Sequence, residues 1–387
     1  MLNVIFLGIT SLLTDLSSEM IYPLVPLYLT LQLGATPLIV GIIEGVAESL
    51  ASILKVFSGS ISDRINKRKP LTIIGYSFSS IGKLLFYVSN SWLYVLLGRI
   101  VDRVGKGIRT APRDALIAES IEIKDTGKAF GLHRTLDTLG AVFGVITAYY
   151  LFFNLSGIAS ASVYQKIFLY SLIPAVLGVF SIFYTKETCK VKCARKERFS
   201  FNHLKEKTQA LPAKLKYFLI ISFLFNLGNS SNQFLLLRAN NLGYAAVTVI
   251  LLYLVYNISY ALFSYPAGKI SDILGRKSLI VTGYFIYGIV YLGFAVTKYP
   301  PTLWILFVIY GIYMGLTEGV EKAFVADNSP RESKATFLGM HATLVGIGLL
   351  PASIIAGLLW NIIGPSAPFY FGAITGILSG FAFLILI

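Results

Sequence analysis

Two pairs of acidic residues, each separated by four positions, lie in apolar stretches near the start of the chain. Residues four apart share one face of a helix, and two close carboxylates rarely both ionise where the dielectric constant is low. One member of each pair is therefore expected to hold a proton at neutral pH, which is chemistry that can carry protons across a membrane. The predicted proton-coupling residues are these four and one further acid: Asp15, Glu19, Glu44, Glu48 and Asp137.

Five basic residues share one helical face further along the chain. They are Arg99, Arg103, Lys106, Arg109 and Arg113. At about 100° per residue they fall within about 120° of the helix surface. Such a stripe either lines a cavity that attracts anions, or is neutralised by acids that then form fixed ion pairs and carry no protons. We predict that the last four members of the stripe bind substrate.

The second half of the chain offers amide, phenol and acidic side chains at comparable places. Amides and phenols can bind a solute through hydrogen bonds, but amides cannot carry protons. We therefore expect proton coupling from the first half and substrate contacts from the second. The predicted substrate-binding residues of the second half are Asn226, Asn229, Asn232, Gln233, Tyr313, Glu318 and Glu321.

Membrane-spanning helices are the elements that must position these residues. Of the 387 residues, 55% are hydrophobic and only 13% are charged, whereas about 25% are charged in soluble domains. The apolar runs are continuous rather than alternating, and most reach the roughly 20 residues that a spanning helix needs, which favours helices over a barrel. The twelve predicted spans are 3–31, 38–61, 71–88, 92–118, 129–153, 164–185, 217–238, 246–268, 279–297, 302–327, 336–360 and 366–387.

An internal repeat divides these spans into two sets of six. Residues 131–136 read GLHRTL and residues 339–344 read GMHATL, 208 positions later. Gly59 to Asp63 recurs as Gly268 to Asp272, 209 positions later. Duplication in so apolar a chain is typical of transporters built from repeats. The predicted domains are a six-helix half over 1–185, a basic linker over 186–216 and a second six-helix half over 217–387.

The basic residues are distributed asymmetrically between the loops. The net charge is +14, and 21 of the 33 Lys and Arg residues lie in alternate loops or the linker. Cytoplasmic loops carry the Lys and Arg excess in membrane proteins. This distribution predicts a plasma-membrane protein with both termini in the cytoplasm, whose positive charge serves topology and not a nucleic-acid partner.

The loop after the second span resembles the signature of the major facilitator superfamily, in which a Gly and an Asp four residues later precede a basic cluster. Gly59 and Asp63 fit this pattern before Arg64 and Arg68, and Gly268 and Asp272 fit it before Arg276. Arg99 also resembles the arginine of the family's fourth helix. The resemblance implies twelve helices in two repeats, and a charged latch that opens and closes one side of the transporter.

Two histidines at repeated positions are predicted to assist the latch in gating, and no acidic pair flanks the second of them in the sequence. The predicted gating residues are Asp63, Arg64, Arg68, Arg99, His133, Asp272, Arg276 and His341. No metal site is predicted.

The function predicted from these observations is secondary active transport of a small organic solute by alternating access, coupled to protons. No phosphate-binding Gly-Lys-Ser/Thr loop is present, so neither ATP nor another cofactor is expected. The open alternatives are export of drugs or metal cations against protons and, more remotely, a receptor that transports nothing. No hydrolase motif is found, so the chain is not expected to be an enzyme. The expected partners are solute, protons and lipid, with the protein as a monomer.

Overall fold

The computed structural model describes residues 2–65, 67–122, 126–155, 160–187, 212–329 and 334–387, and all regular secondary structure within these ranges is helical. Nine helices in these ranges are long and apolar enough to cross a membrane. The predicted spans 71–88, 92–118 and 217–238 also contain helix but fall outside this set. The second of them carries the basic stripe, and the third is interrupted at residues 229–232.

Contacts divide the chain into two compact units. The first contains residues 1–35 and 46–197, and the second contains residues 36–45 and 198–387. The predicted division into 1–185, 186–216 and 217–387 stays a prediction, because most of the linker, with Cys189, Cys193 and His203, lies outside the described residues.

The first unit is built from helices that pack as neighbours through small residues. Its helices are α1 (Leu2–Ile21), α2 (Val25–Leu27, continued by a π-helical turn Tyr28–Gln32), the part of α3 (Pro37–Ile65) from residue 46 onward, α4 (Lys69–Tyr87), α5 (Trp92–Glu119), α6 (Thr126–Leu155) and α7 (Ser160–Phe183). The first predicted span is broken between α1 and α2, where Pro23 and Pro26 disfavour a regular helix. Helix α1 packs against α6 and α7, and α4 packs against α5.

The contact between α4 and α5 brings two backbones together. A Cβ added at Gly105 of α5 would lie 2.4 Å from the carbonyl oxygen of Gly75 of α4. Only glycine permits this approach. The close contact sets the depth at which the basic stripe of α5 meets the side chains of α4.

The second unit repeats this arrangement. Its helices are α8 (Ala213–Gly228), α9 (Gln233–Asn241), α10 (Ala246–Leu274), α11 (Arg276–Val296), α12 (Thr302–Asp327), α13 (Lys334–Ile362) and α14 (Ala367–Leu386). The span predicted as continuous over 217–238 is interrupted at residues 229–232, between α8 and α9. Helices α10 and α13 run through Pro266 and Pro351, as α5 runs through Pro112.

Candidate functional site

A pair of aspartates from two helices forms the first candidate site. Asp15 of α1 lies close to Asp137 of α6. The hydroxyl of Ser11 donates a hydrogen bond to Asp137 Oδ1, and Arg134 Nη1 lies 3.3 Å from Asp137 Oδ2. Two neighbouring carboxyl groups rarely both ionise where the dielectric constant is low. The four-residue spacing had grouped Asp15 with Glu19, and the structure adds Asp137 as its partner.

The remaining predicted proton-coupling residues have different surroundings. Glu48 Oε1 lies 3.1 Å from Arg103 Nε and 3.8 Å from Arg99 Nη2, which is the fixed pairing that the sequence left open. Glu19 packs with its Cβ against Gly144 of α6. Glu44 is buried on the part of α3 that belongs to the second unit.

A buried ionic cluster neutralises part of the basic stripe. Asp102 of α5 is central to it. Its carboxylate lies 3.1 Å from Lys83 Nζ of α4, 3.7 Å from Arg103 Nε and 3.9 Å from Arg99 Nη1. Arg99, a predicted gating residue, also lies over the ring of Tyr22 at 5.4 Å. Arg99 and Arg103 are thus held by acids on their own helix and on α3.

Arg113 is neutralised as well. Its Nε and Nη2 lie 3.0 Å and 2.8 Å from Asp114 Oδ1, and its Nη1 lies 3.5 Å from the hydroxyl of Ser11. Nearby on α6, His133 is buried and its Nε2 atom has no hydrogen-bond partner among the described residues. Arg113 therefore stands beside the aspartate pair as a fixed positive charge.

Two members of the stripe form no ion pair within 4 Å in the described part of the chain, and these are Lys106 and Arg109. Arg109 is 5% exposed, donates a hydrogen bond to the Ser79 hydroxyl and lies 4.3 Å over the ring of Tyr76. Lys106 is exposed. The structure therefore divides the stripe, with Lys106 and Arg109 providing positive charge that an anion could neutralise.

Polar side chains of the second unit meet at the break between α8 and α9. Tyr310 donates a hydrogen bond of 2.7 Å to Asn232 Oδ1, and Asn232 Nδ2 lies 3.3 Å from the Tyr256 hydroxyl. Asn229 Nδ2 lies 3.5 Å from the Tyr313 hydroxyl. An interrupted helix is a common place for solute binding in transporters.

Two other predicted amides differ in how well they are satisfied. Asn226 donates a hydrogen bond of 2.8 Å to the backbone oxygen of Ser222. Gln233 is fully buried, and neither atom of its amide has a hydrogen-bond partner among the described residues. Buried polar groups are nearly always hydrogen-bonded, so Gln233 has unused hydrogen-bonding capacity beside the helix break.

The two predicted acids of α12 have separate partners. Glu318 Oε1 lies 2.9 Å from Lys322 Nζ, and its other oxygen accepts a hydrogen bond from Tyr260. Glu321 Oε2 lies 3.3 Å from His341 Nε2 of α13. The sequence assigned Glu321 to substrate and His341 to gating, and the structure joins them in one pair.

Residues of the predicted latch form similar ion pairs in both units. In the first unit, Arg68 Nη2 lies 3.1 Å from Glu119 Oε1, and Nη1 lies 2.7 Å from the Ser62 hydroxyl. In the second unit, Arg276 lies 2.5 Å from Asp272 and 3.2 Å from Asp327, and it donates a hydrogen bond to Ser271. The side chains of Asp63 and Arg64, which were predicted for the first latch, lie outside the described residues.

Sequence offsets of 208 and 209 connect these two clusters, and the same offset relates further residues of the clusters. Glu119 and Asp327 are 208 positions apart, and so are Lys69 and Lys277. Lys69 Nζ lies 2.6 Å from the carbonyl oxygen of Thr185, just after α7, and Lys277 Nζ lies 3.0 Å from that of Leu384 at the end of α14. Each lysine therefore donates a hydrogen bond to the backbone at the end of the last helix of its unit.

The same offset shows where the units differ. Lys83 and Asp102, the ion pair of the first unit, correspond to Tyr291 and Tyr310, whose rings are 6.1 Å apart. Ser79 corresponds to Tyr287, whose ring lies 4.1 Å from that of Tyr291. An ionic interior in one unit is thus an aromatic interior in the other, which sequence offsets alone could have revealed.

Comparisons with known proteins agree with this architecture. A sequence model of the Major Facilitator Superfamily matches residues 7–237 and 218–387. An uncharacterized MFS-type transporter of Methanocaldococcus jannaschii is 40% identical over 392 residues, which cover 99% of this chain and 94% of that protein. The crystal structure of the D323A mutant of the nucleoside transporter NupG superimposes with a TM-score of 0.83 at 14% identity, and the superposition covers 99% of both chains.

A more local similarity is found to the multidrug resistance protein MdtH of Blochmanniella pennsylvanica. The two sequences are 24% identical over 146 residues, which are 38% of this chain and 36% of that protein.

Proposed function

The chain belongs to the Major Facilitator Superfamily of membrane transporters, and we propose that it couples the movement of a small organic solute to the movement of protons. The fold of twelve helices in two repeats and the membership of a transporter family were both predicted from the sequence, and both are confirmed. Transport by this fold uses alternating access to a site near the middle of the membrane.

The neighbouring carboxyl groups of Asp15 and Asp137 carry the proposal. Two close carboxylates repel each other when both are ionised, so we expect the pair to bind one proton. Ser11 and Arg134 contact Asp137, and Arg113 adds positive charge nearby. A carboxyl group that takes up a proton from water on one side of the membrane and releases it on the other carries one proton in each cycle.

Lys106 and Arg109, which form no ion pair within 4 Å in the described part of the chain, suggest the class of solute. Arg109 is 5% exposed, its Nε has no hydrogen-bond partner among the described residues, and a buried positive charge needs a counter-charge. Lys106 is exposed, so a solute can reach it. A solute with a carboxylate or phosphate group would neutralise these cations. The amides and phenols at the break between α8 and α9 support hydrogen bonding to the rest of an organic molecule.

Export of a drug against protons is the second candidate, because of the local similarity to a multidrug resistance protein. Export of a drug or metal cation would use the same aspartate pair, with the cation displacing the proton. The anionic-solute proposal and the export proposal differ in the charge of the transported molecule.

The membrane and topology follow from the charge distribution. We propose that the protein resides in the plasma membrane as a monomer with both termini in the cytoplasm, because the basic loops alternate along the chain.

Transport measured in liposomes tests the function. Candidate solutes that raise the melting temperature of the purified protein are supplied to liposomes with an imposed pH gradient. We expect the wild type to accumulate an anionic solute, and Asp137→Asn to abolish accumulation driven by the gradient. Glu122→Gln, which changes an exposed carboxylate in the loop after α5, is the matched control. Gradient-driven transport that persists in Asp137→Asn would remove the aspartate pair from coupling. Accumulation of cations alone would support export.

A further inference from the structure

A second buried acid and base lie in the second unit, away from the aspartate pair of the first. Glu321 Oε2 lies 3.3 Å from His341 Nε2, and the same nitrogen lies 3.4 Å from the hydroxyl of Ser222 on α8. Glu321 is 8% exposed and His341 is 5% exposed. The pair thus joins α8, α12 and α13 in the interior of one unit.

Aromatic side chains surround the pair. The ring of Phe218 lies 5.4 Å from the ring of His341, and Phe324 and Phe383 pack against Phe218 at 4.9 Å and 5.8 Å. An uncompensated charge in such surroundings costs several kcal/mol. We infer that the pair holds one proton when closed, as imidazolium beside carboxylate, and that it is neutral overall in this form.

The other groups that face the pair are uncharged. Tyr284 of α11 lies near the Glu321 carboxyl, and its hydroxyl has no hydrogen-bond partner among the described residues. Tyr313 of α12 also faces Glu321, and Ser222 is the polar group from α8. No lysine or arginine in the described ranges forms an ion pair with Glu321. The neighbouring Lys322 forms its ion pair with Glu318. Hence no fixed cation holds Glu321 in its ionised form.

The first unit differs at the equivalent place. Arg113 and Glu321 are 208 positions apart, as are His133 and His341. An arginine remains protonated in proteins, so the corresponding place in the first unit, with Arg113 and His133, has a permanent positive charge. The second unit instead combines two groups that can both gain and lose a proton. Both units therefore have a histidine at this position, and in the second unit the histidine lies beside a carboxyl group that can also bind a proton.

We propose that Glu321 and His341 form a second proton-binding site, which takes up a proton from water and releases it to water during transport. With its proton bound, the pair is neutral and suited to burial. Without the proton it consists of a neutral imidazole beside a carboxylate, and its single negative charge is suited to a state open to water. With the aspartate pair, two protons then move in each cycle. The inference rests on the proposed proton-coupled function, but the binding of a proton here can be measured without transport.

Nuclear magnetic resonance of histidine nitrogens provides the test, since the chain has only three histidines. The full-length protein with 15N-labelled histidine is titrated in detergent micelles with protons alone between about pH 5 and 8. His341→Gln assigns the signal by its loss. We expect the wild-type His341 signal to move from the protonated to the neutral position in this range. In Glu321→Gln the His341 side chain should stay neutral throughout, because a buried imidazolium would have no counter-ion there.

Glu318→Gln is the matched control, because it removes an acid one turn earlier on α12 that is bound to Lys322 and Tyr260. This variant should leave the His341 titration unchanged. An unchanged His133 signal and melting temperature show that the variants are folded. A His341 signal that keeps one protonation state in the wild type, or titrates identically in Glu321→Gln, would overturn the proposal. Loss of gradient-driven transport in Asp137→Asn tests the first site separately, so the two proposals can fail independently.

Discussion

Asp102 and Lys83 are partners in a buried ion pair, but their removal should have unequal effects on stability. The Asp102 carboxylate faces three cations at 3.1, 3.7 and 3.9 Å, whereas Lys83 Nζ faces the single carboxylate of Asp102. With an effective dielectric constant of about 20, these separations correspond to attractions of about 5.4, 4.5 and 4.3 kcal/mol before desolvation. Asp102→Asn loses all three attractions, and Lys83→Met loses only the first.

Desolvation increases the difference between the two variants. Asp102→Asn leaves Lys83, whose side chain is 2% exposed, as a buried cation without a carboxylate, and breaking such pairs typically costs about 3–5 kcal/mol. Lys83→Met leaves Asp102 with Arg99 and Arg103 still beside it, and the methionine fills most of the lysine volume. We expect Asp102→Asn to lower the free energy of unfolding by about 3–5 kcal/mol, and Lys83→Met to lower it by about 1 kcal/mol.

Denaturant-induced unfolding of the purified protein in mixed micelles measures this difference. Tryptophan fluorescence or helical circular dichroism follows the transition, and the slope with denaturant must agree among the variants for the free energies to be compared. The Lys83→Met/Asp102→Asn double variant should recover part of the Asp102→Asn loss, since the unpaired cation is removed. Equal destabilisation by the two single variants, or no recovery in the double variant, would refute the assignment of Asp102 as the shared partner of three cations.

Two further outcomes follow from single side chains. Arg238→Gln should lower the free energy of unfolding by about 2–4 kcal/mol, measured by the same denaturant titration. The Arg238 guanidinium donates hydrogen bonds of 3.0 and 3.1 Å to the carbonyl oxygens of Phe294 and Thr297, at the end of α11. A loss below about 1 kcal/mol would show that these bonds contribute no more than a surface contact. Lys106→Gln should weaken binding of an anionic solute about tenfold in calorimetry, or by roughly 1.4 kcal/mol, without changing the melting temperature, and unchanged affinity would place the anion elsewhere.

Patterns within one helix could be predicted from the sequence because they depend only on helix geometry. The shared face of the basic stripe is such a pattern. The pair of Asp272 and Arg276 was suggested instead by the repeated Gly-to-Asp motif, because these two residues lie on either side of Gly275, where α10 ends and α11 begins. The turn in the first span was also foreseeable, since Pro23 and Pro26 disfavour a regular helix there.

Contacts between helices could not be predicted in the same way. The pairing of Asp15 with Asp137 requires α1 to pack on α6, and the pairing of Glu321 with His341 requires a particular rotation of α12 against α13. Hydropathy specifies neither packing partner nor rotation. It also favoured a continuous helix over 217–238, because the polar run that begins at Asn229 is short and flanked by apolar residues. The polar side chains at this break were predicted to contact solute, which stays a prediction, and their effect on the helix was not foreseen.

The exchange of Lys83 and Asp102 for Tyr291 and Tyr310 gives the two units different responses to heat. The free energy of hydrating a charge becomes less favourable as temperature rises, so burying an ion pair is penalised less in a hot solution. Packing between tyrosine rings has no comparable gain. Warming should therefore loosen the tyrosine-filled unit before the ionic one. Such an imbalance would change the preference between the two end states of a rocking transporter, so that its resting conformation depends on the temperature at which the cell grows.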